Sequence, residues 1–216
     1  MIKQKWDAIV LDLDGTLVDT LQDIANAANA ALKNNGFKMW TVEQYRYMVG
    51  NGVRKLIERA TGGADTDTIE RVMADYNSIY SRDCLKFTAP YDKIPETLIK
   101  LKESGIYMFV VTNKPDAQAK KIVSHLFGET FFQGVYGTQT GRKNKPDPTV
   151  TLNALASVGC KPDRSLFVGD SDVDMYTAAN AGLKGAGALW GFRGREELMA
   201  AGADYLLESP AQILHL

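Results

Sequence analysis

The stretch IVLDLDGTLVDT, residues 9–20, changes within a few positions from apolar residues to a group of carboxylates. Its first half is a short apolar run that predicts a buried β-strand. Asp12 and Asp14 stand where this run ends, two residues apart. Because an unpaired buried carboxylate costs several kcal/mol, we expect a cationic partner to receive these two side chains.

Short apolar runs alternate with helical patterns along most of the chain, and this alternation predicts the fold class. It is typical of an α/β fold in which a Rossmann-like parallel sheet is flanked by helices. In such sheets ligands bind outside the carboxyl ends of the strands, so we expect functional residues there. The predicted strands are 8–13, 106–112, 134–137, 165–170, 185–190 and 204–207, and the predicted helices are about 95–104, 115–127, 148–158, 172–181 and 194–201.

Residues 18–88 interrupt this alternation with helical sequence and no recognisable strand. Gly36 and the pair Gly62-Gly63 are expected to end helices, and three helical stretches cover 19–36, 51–63 and 67–83. We therefore predict an all-helical cap domain over 18–88, inserted into a core domain formed by 1–17 and 89–216. A mobile cap could exclude water and select the substrate, whereas the alternative is a helical subdomain that only packs.

Composition limits the partners and the kinds of site. The 216 residues are 45% hydrophobic and 24% charged with a net charge of −1, which favours neither nucleic acid nor an anionic membrane. No apolar run reaches the roughly 20 residues of a membrane span, and the N-terminus does not resemble a signal peptide. Cys84 and Cys160 are expected to be reduced thiols of a cytoplasmic protein, either a monomer or a homodimer. His125 and His215 are too far apart in sequence to favour a histidine-based zinc site or a Ser-His-Asp hydrolase.

The ends of the predicted strands and the loops near them carry the residues that phosphoryl transfer needs. Asp12, Asp14 and Asp170 offer the oxygen ligands that Mg²⁺ prefers beside a substrate phosphate. An ionised aspartate can attack phosphorus, and a second aspartate can handle the leaving group's proton. Each signal alone has a simpler interpretation, since acidic pairs are common in loops and the basic string 142–145 could be a solvated loop. The candidates that accompany the aspartates are Thr112, Asn113 and Lys145, and GDSDVD (169–174) lacks the glycine and glutamate positions of an EF-hand loop.

Four segments resemble the four motifs of the haloacid dehalogenase superfamily of phosphatases and occur in the family's order. They are DLDGTLVDT (12–20), VVTNK, KPDP and VGDSDVD. The resemblance implies that Asp12 is the nucleophile that forms an aspartyl-phosphate and that Asp14 is the acid/base. It also implies a Mg²⁺ site made by the Asp12 side chain, the Asp14 main-chain oxygen and Asp170. The remaining implied roles are phosphate binding by Thr112 and Asn113, holding of the phosphoryl group and nucleophile by Lys145, and orientation of metal-bound water by Asp174.

Further similarity indicates a branch of this superfamily. Members that dehalogenate lack the second aspartate, so Asp14 favours phosphate chemistry, and Lys145 is preferred to Lys143 because it precedes proline as the motif requires. DGTLVDT, MVGNGVRKLIERA, VVTNKP and VGDSDVDMYTAANAG resemble the phosphoglycolate phosphatase-like branch. Within the second of these segments, Arg54 is either a substrate-binding residue or an ordinary exposed arginine.

The resulting expectation is a Mg²⁺-dependent phosphatase that hydrolyses a small phosphomonoester, with phosphoglycolate as the first candidate substrate. The alternatives are a β-phosphoglucomutase-like phosphotransferase, a pyrophosphatase or nucleotidase of the same superfamily, and a non-catalytic binding protein on the same fold. The complete acidic set argues against the last of these, because a protein that only binds has no need of a proton-donating Asp14.

Overall fold

The structure, a computed structural model, describes residues 5–216. A first strand and a helical segment are followed by strands and helices in regular alternation. Among the described residues no helix has both the length and the hydrophobicity needed to cross a membrane. The elements are β1 (Ala8–Leu11), β2 (Val18–Asp19), α1 (Leu21–Asn34), α2 (Val42–Tyr45), α3 (Val53–Ala60), α4 (Thr66–Asp83), β3 (Ala89–Pro90), α5 (Ile94–Glu103), β4 (Tyr107–Pro115), α6 (Asp116–Phe127), β5 (Gly134–Thr138), α7 (Thr149–Ala156), β6 (Ser165–Gly169), α8 (Asp172–Ala181), β7 (Lys184–Ala188), α9 (Arg195–Ala200) and β8 (Tyr205–Leu207), with short 3₁₀ turns at Pro162–Arg164 and Pro210–His215.

Six strands form one parallel sheet in the order β5-β4-β1-β6-β7-β8. From β1 the chain first adds β4 and β5 on one side, and it later returns to add β6, β7 and β8 on the other. The position beside β1 is therefore the switch point of the sheet, where a ligand crevice is expected. The parallel α/β sheet predicted from the alternation is confirmed.

Strand β1 is completely buried because helices cover both faces of the sheet. Ile9 and Leu11 belong to a core that includes residues of α5 and α6, whereas Ala8 and Val10 pack on the opposite face with residues of α7 and α8. Side chains of a strand point alternately to its two faces, so four consecutive apolar residues fill two cores at once. This explains why the sequence shows a continuous apolar run here and not an alternating one.

Helices α1 to α4 lie between β2 and β3, and we refer to residues 20–88 as the helical insertion. Its three long helices match the predicted ones, and Gly36, Gly62 and Gly63 follow α1 and α3 with positive φ angles. The expectation that residues 18–88 contain no strand was wrong at its first two positions, because Val18 pairs with Pro90 and Asp19 with Ala89 in an antiparallel ladder. Two residues are too few to show a strand periodicity, so only the tertiary pairing reveals β2 and β3.

The carboxyl group of Asp23, in the first turn of α1, ties the two ends of the helical insertion together. It is buried and accepts hydrogen bonds from the backbone N–H groups of Phe87 and Thr88, each at 2.9 Å, and from the Thr88 hydroxyl at 2.8 Å. Three donors therefore converge on one side chain just before the chain returns to the sheet at β3.

We expect Asp23→Ala to lower the free energy of unfolding by about 2–4 kcal/mol, because a buried and a partly buried backbone N–H group would lose their acceptor. Asp23→Asn keeps an acceptor oxygen and should lose less. Urea denaturation followed by circular dichroism measures the difference. Asp67→Ala is the matched control in the first turn of α4, where the side chain is exposed and the loss should stay below about 1 kcal/mol. Equal losses for the Asp23 and Asp67 variants would contradict the proposed tie.

Candidate functional site

Asp12 follows β1 directly and enters a buried cluster of charged groups. Its backbone N–H donates to the carbonyl of Val168 in β6, which places the residue at the edge where β1 and β6 end. The ammonium of Lys145 lies 2.8 Å from Asp12 Oδ1 and 2.6 Å from Asp174 Oδ1. All three side chains are at least nine-tenths buried, so this lysine is the cationic partner that the opening stretch of sequence required.

Asp170, which follows β6, completes a set of three acidic side chains. One carboxylate oxygen from each of Asp12, Asp170 and Asp174 lies within 4.8 Å of the others. Asp170 accepts hydrogen bonds from the backbone N–H of Phe192 at 2.7 Å and from the Thr16 hydroxyl at 3.3 Å. Three buried carboxylates thus lie close together, and two of them, Asp12 and Asp174, contact the Lys145 ammonium.

The turn after β1 requires a glycine because of this close approach. Gly15 has a φ of +84°, and a Cβ atom at this position would lie 2.3 Å from Asp170 Oδ2. Any other residue would therefore be strained and would also displace the Asp170 carboxylate.

Burial and the excess of negative charge both shift the pKa values of the side chains in the cluster. Burial raises the pKa of Asp12 to about 6, with Lys145 opposing the rise and Asp174 adding to it. Burial and the neighbouring charges of Asp174 and Asp12 raise the pKa of Asp170 well above its usual range. Burial alone would lower the pKa of Lys145, but the two carboxylates beside it outweigh burial and raise it. A further cation would offset the charge that Lys145 leaves unbalanced.

The donor set fits a hard divalent cation. Asp12 Oδ1 is buried and accepts no well-aligned hydrogen bond from the described chain, although Lys145 lies close enough for an ion pair. Asp174, in contrast, is already engaged: its Oδ2 accepts from the N–H and the hydroxyl of Ser171, at 3.1 and 2.7 Å. Carboxylate oxygens are the preferred ligands of Mg²⁺. Asp12 Oδ1 and Asp170 Oδ1, which accepts only the long 3.3 Å bond from Thr16 among the described residues, have the capacity to bind it.

Asp14 does not join the acidic cluster; its carboxylate is held by another lysine. Lys114 Nζ lies 2.7 and 2.9 Å from the two carboxylate oxygens of Asp14, and the hydroxyl of Thr20 donates to Oδ1 at 2.7 Å. In the sequence, Asp19 and Thr20 stand where caps of α1 are expected. Thr20 occupies the N-cap position, but its hydroxyl donates to Asp14 and not to the helix backbone. The Leu21 N–H bonds to Asp19 Oδ1 at 3.1 Å.

Lys114 is a further candidate functional residue, which was not predicted from the sequence. It lies near the carboxyl end of β4, directly after Asn113, and its side chain is 3% exposed. Its position in the sequence could have indicated this role, because polar residues at the carboxyl ends of buried parallel strands face the ligand crevice.

Thr112 and Asn113 lie where the sequence predicted, near the end of β4 beside the cluster. The Asn113 side chain donates to the Lys145 carbonyl at 3.1 Å and accepts from the Lys145 N–H at 2.9 Å. Asn113 therefore fixes the backbone of the residue whose ammonium meets Asp12. Lys143 is exposed and pairs with Asp147 at 3.3 Å, so only Lys145 of the two candidate lysines reaches the cluster.

Arg54 does not approach this site in the structure. Its side chain is about half exposed on α3 and forms an ion pair with Glu70 of α4. Arg54 is not among the described residues that line the cavity next to the acidic cluster, although its neighbour Val53 is.

That cavity, of about 590 Å³ including space open to solvent, lies between the sheet edge and the helical insertion. The core side of its wall carries the polar and charged groups. The side formed by the insertion is mostly apolar and aromatic. Residues from the core include Asp12, Asp14, Thr112, Asn113, Lys114 and Asp170, and residues from the insertion include Ile24, Val49, Val53, Leu56, Tyr76 and Tyr80.

Arg193, in the loop after β7, holds the insertion against the core. Its guanidinium donates to the carbonyls of Arg46 and Val49, the latter at 2.9 Å, within the α2–α3 loop (residues 46–52). In return, Arg46 donates to the carbonyl of Gly191 at 3.3 Å, and Asn113 donates to the carbonyl of Gly50 at 3.0 Å. The α2–α3 loop is thereby fastened over the cavity from several points of the core.

We expect Arg193→Ala to speed hydrogen exchange in the α2–α3 loop by at least about tenfold, because hydrogen bonds from a charged donor are lost. Exchange followed by mass spectrometry or NMR reports on the amides of Met48 and Val49, both of which bond to the Tyr45 carbonyl. Arg195→Ala is the control, since this neighbouring arginine pairs with Glu208 at an exposed site. Unchanged exchange in the Arg193 variant would show that the loop is held by other contacts.

Comparison with known proteins places these features in a family. The family model for haloacid dehalogenase-like hydrolases matches residues 9–188. Phosphoglycolate phosphatase of Aquifex aeolicus is 34% identical over 208 residues, 96% of this chain and 95% of that protein. N-acetylmuramic acid 6-phosphate phosphatase of Pseudomonas aeruginosa is 30% identical over 216 residues, with 99% and 96% of the two chains covered.

A solved structure supports the same assignment. The crystal structure of a predicted phosphoglycolate phosphatase from Haemophilus somnus 129PT superposes with a TM-score of 0.92 at 28% identity, over 99% of this chain and 98% of that one. The match of the family model extends over most of the chain and includes the acidic cluster, the phosphate-binding candidates and Lys145. This chain therefore belongs to the haloacid dehalogenase-like hydrolases and is a phosphatase of that family.

Proposed function

We propose that this protein is a Mg²⁺-dependent phosphatase that hydrolyses a small phosphomonoester through an aspartyl-phosphate on Asp12. One observation supports this most directly. The Asp12 carboxylate, at the end of the central strand, contacts the ammonium of Lys145 at 2.8 Å and lines a cavity beneath the helical insertion. A nucleophilic carboxylate needs neighbouring positive charge to approach an anionic phosphoryl group, and Lys145 supplies it.

In the proposed mechanism, Asp12 attacks phosphorus while the bond to the leaving-group oxygen breaks, and Asp14 gives that oxygen its proton. Water then attacks the aspartyl-phosphate, Asp14 accepts the water's proton, and inorganic phosphate leaves. Thr112 and Asn113 line the cavity beside Asp12. Thr112 would donate to a phosphate oxygen through its hydroxyl, and Asn113 would donate through its backbone N–H, because its side-chain amide already bonds to the carbonyls of Gly50 and Lys145. The helical insertion would act as the cap that keeps bulk water from the intermediate.

Mg²⁺ would be held by the side chains of Asp12 and Asp170 and by the main-chain oxygen of Asp14. Bound there, it would neutralise charge on the phosphoryl group as a Lewis acid. Asp174 would not be a direct ligand, since Ser171 and Lys145 already occupy its two oxygens. Its proposed role is to orient a water molecule of the metal site and to hold Lys145.

Phosphoglycolate is the first candidate substrate because several of the relatives carry the name phosphoglycolate phosphatase. The relative named N-acetylmuramic acid 6-phosphate phosphatase makes a larger sugar phosphate the second compound to test.

The experiment that tests the proposal measures phosphate release from a panel of phosphomonoesters in the presence of Mg²⁺, with 2-phosphoglycolate, N-acetylmuramic acid 6-phosphate, hexose phosphates, nucleoside monophosphates and pyrophosphate. We expect turnover to fall by more than about 10³-fold in Asp12→Asn, because the amide is a poor nucleophile. Asp172→Asn is the matched control, since this neighbouring aspartate bonds only to the following backbone N–H among the described contacts. Turnover retained in Asp12→Asn would remove Asp12 as the nucleophile.

Metal binding has a readout that does not depend on activity. With a dissociation constant of about 1 mM, 10 mM Mg²⁺ would stabilise the folded state by about 1.4 kcal/mol. We therefore expect the melting temperature to rise by about 3–6 °C in a calorimetric or fluorescence melt. Asp170→Asn should abolish most of this rise and Asp172→Asn should keep it; an equal rise in all three proteins would contradict the proposed site.

A further inference from the structure

Lys114 is the second buried lysine of the site, and the proposed chemistry has not yet used it. Its Nζ lies 2.7 and 2.9 Å from the two carboxylate oxygens of Asp14, so one ammonium engages both oxygens of one carboxylate. The side chains are 3% and 12% exposed, and a charge pair so little exposed is screened only weakly by solvent. Such a pair is costly to bury unless its geometry is well satisfied.

Further contacts hold both members of this pair. Lys114 Nζ lies 4.6 Å from the ring centroid of Tyr80, a residue of α4 that is 3% exposed, and the Tyr80 ring stacks on Tyr76 at 5.4 Å. The Thr20 hydroxyl donates to Asp14 Oδ1 at 2.7 Å. Asp14 is thus bound both by Lys114 of the core strand β4 and by Thr20 at the start of the insertion. Lys114 also packs against Tyr80 of the insertion helix α4.

The two lysines divide the acidic residues between them. Lys145 contacts Asp12 and Asp174, whereas Lys114 contacts Asp14, which lies outside the acidic cluster. The nucleophile and the acid/base of the proposed mechanism therefore each have a separate buried cation.

We propose that Lys114 is a positioning residue that holds the Asp14 carboxyl group in place for proton transfer. The inference rests on the proposed role of Asp14. In the first step the phosphorus–oxygen bond of the ester breaks, the proton moves from Asp14 to the leaving-group oxygen, and the bond from Asp12 to phosphorus forms. The Lys114 ammonium, at 2.7 and 2.9 Å from the two Asp14 oxygens, fixes the orientation of the carboxyl group for this transfer. The same contact keeps Asp14 aligned to receive a proton from water in the second step.

If Lys114 had only a structural role, its replacement would lower kcat/KM by the same factor for every substrate. If it acts through proton donation by Asp14, the loss depends on the leaving group. Phenyl phosphate and 4-nitrophenyl phosphate have leaving groups of similar shape but different basicity. Phenolate needs the proton more than 4-nitrophenolate does, so loss of proton donation slows phenyl phosphate more. The ratio of kcat/KM for phenyl phosphate to that for 4-nitrophenyl phosphate is therefore the quantity to measure.

We expect Asp14→Asn to lower this ratio by about 10²-fold and Lys114→Met to lower it by at least about tenfold, within the usual range of general acid catalysis. Lys114→Arg should retain most of the ratio because it keeps the cation. In the double variant Asp14→Asn/Lys114→Met the ratio should be no lower than in Asp14→Asn alone, since both changes act on one step. Lys143→Met is the control for loss of a lysine at an exposed position.

The outcomes separate the two proposals. If Asp14→Asn lowers the ratio and Lys114→Met leaves it unchanged while both fold, the inference about Lys114 is overturned and the role of Asp14 stands. If Asp14→Asn leaves the ratio unchanged, the proposed acid/base role fails, and the inference falls with it. Circular dichroism and thermal melting establish folding. Should Lys114→Met not fold, Lys114→Gln provides the same comparison, with an uncharged donor in place of the ammonium.

Discussion

The ion pairs between Lys145 and the carboxylates of Asp12 and Asp174 are the interaction on which this architecture depends. Three acidic side chains could not be buried within 4.8 Å of one another without a cation among them. The residues come from three places along the chain: the end of β1, the loop before α7 and the segment after β6. Parallel strands that end at one edge of the sheet bring these residues together. The strand order of the sheet therefore determines which charged side chains meet in the site.

The residues that build the site also fasten the helical insertion to it. Asn113 bonds to the backbone of Lys145 on one side and to the Gly50 carbonyl on the other. Lys114 pairs with Asp14 and packs against Tyr80 of α4, and Arg193 reaches the α2–α3 loop. Because the same side chains contact both parts, a displacement of the insertion would alter the surroundings of the candidate phosphate-binding and acid/base residues directly.

Much of the core was predictable because its strands are covered on both faces. Continuous apolar runs such as residues 8–11 have few other interpretations when helical patterns alternate with them, and all six predicted strands of the parallel sheet were found. Strand β2 escaped prediction because two residues carry no periodicity. The capping role expected of the Thr20 hydroxyl was wrong for a related reason. The local sequence indicates a helix cap, but the hydroxyl donates to the Asp14 carboxylate, which lies outside the helix.

What the sequence by itself determined is the chemistry available and the strand ends that carry it: Asp12, Asp14, Asp170 and Lys145 stand at strand ends and loops in a recognisable order. The resemblance already implied that Lys145 holds Asp12, but only the tertiary structure decided how the other charged side chains pair. Lys145 pairs with Asp12 and Asp174, Lys114 pairs with Asp14, and Arg54 turns to Glu70 away from the cavity. The physical reason is that side-chain pairing depends on distances of about 3 Å between residues far apart in the chain, whereas strands and helices are encoded by patterns among near neighbours.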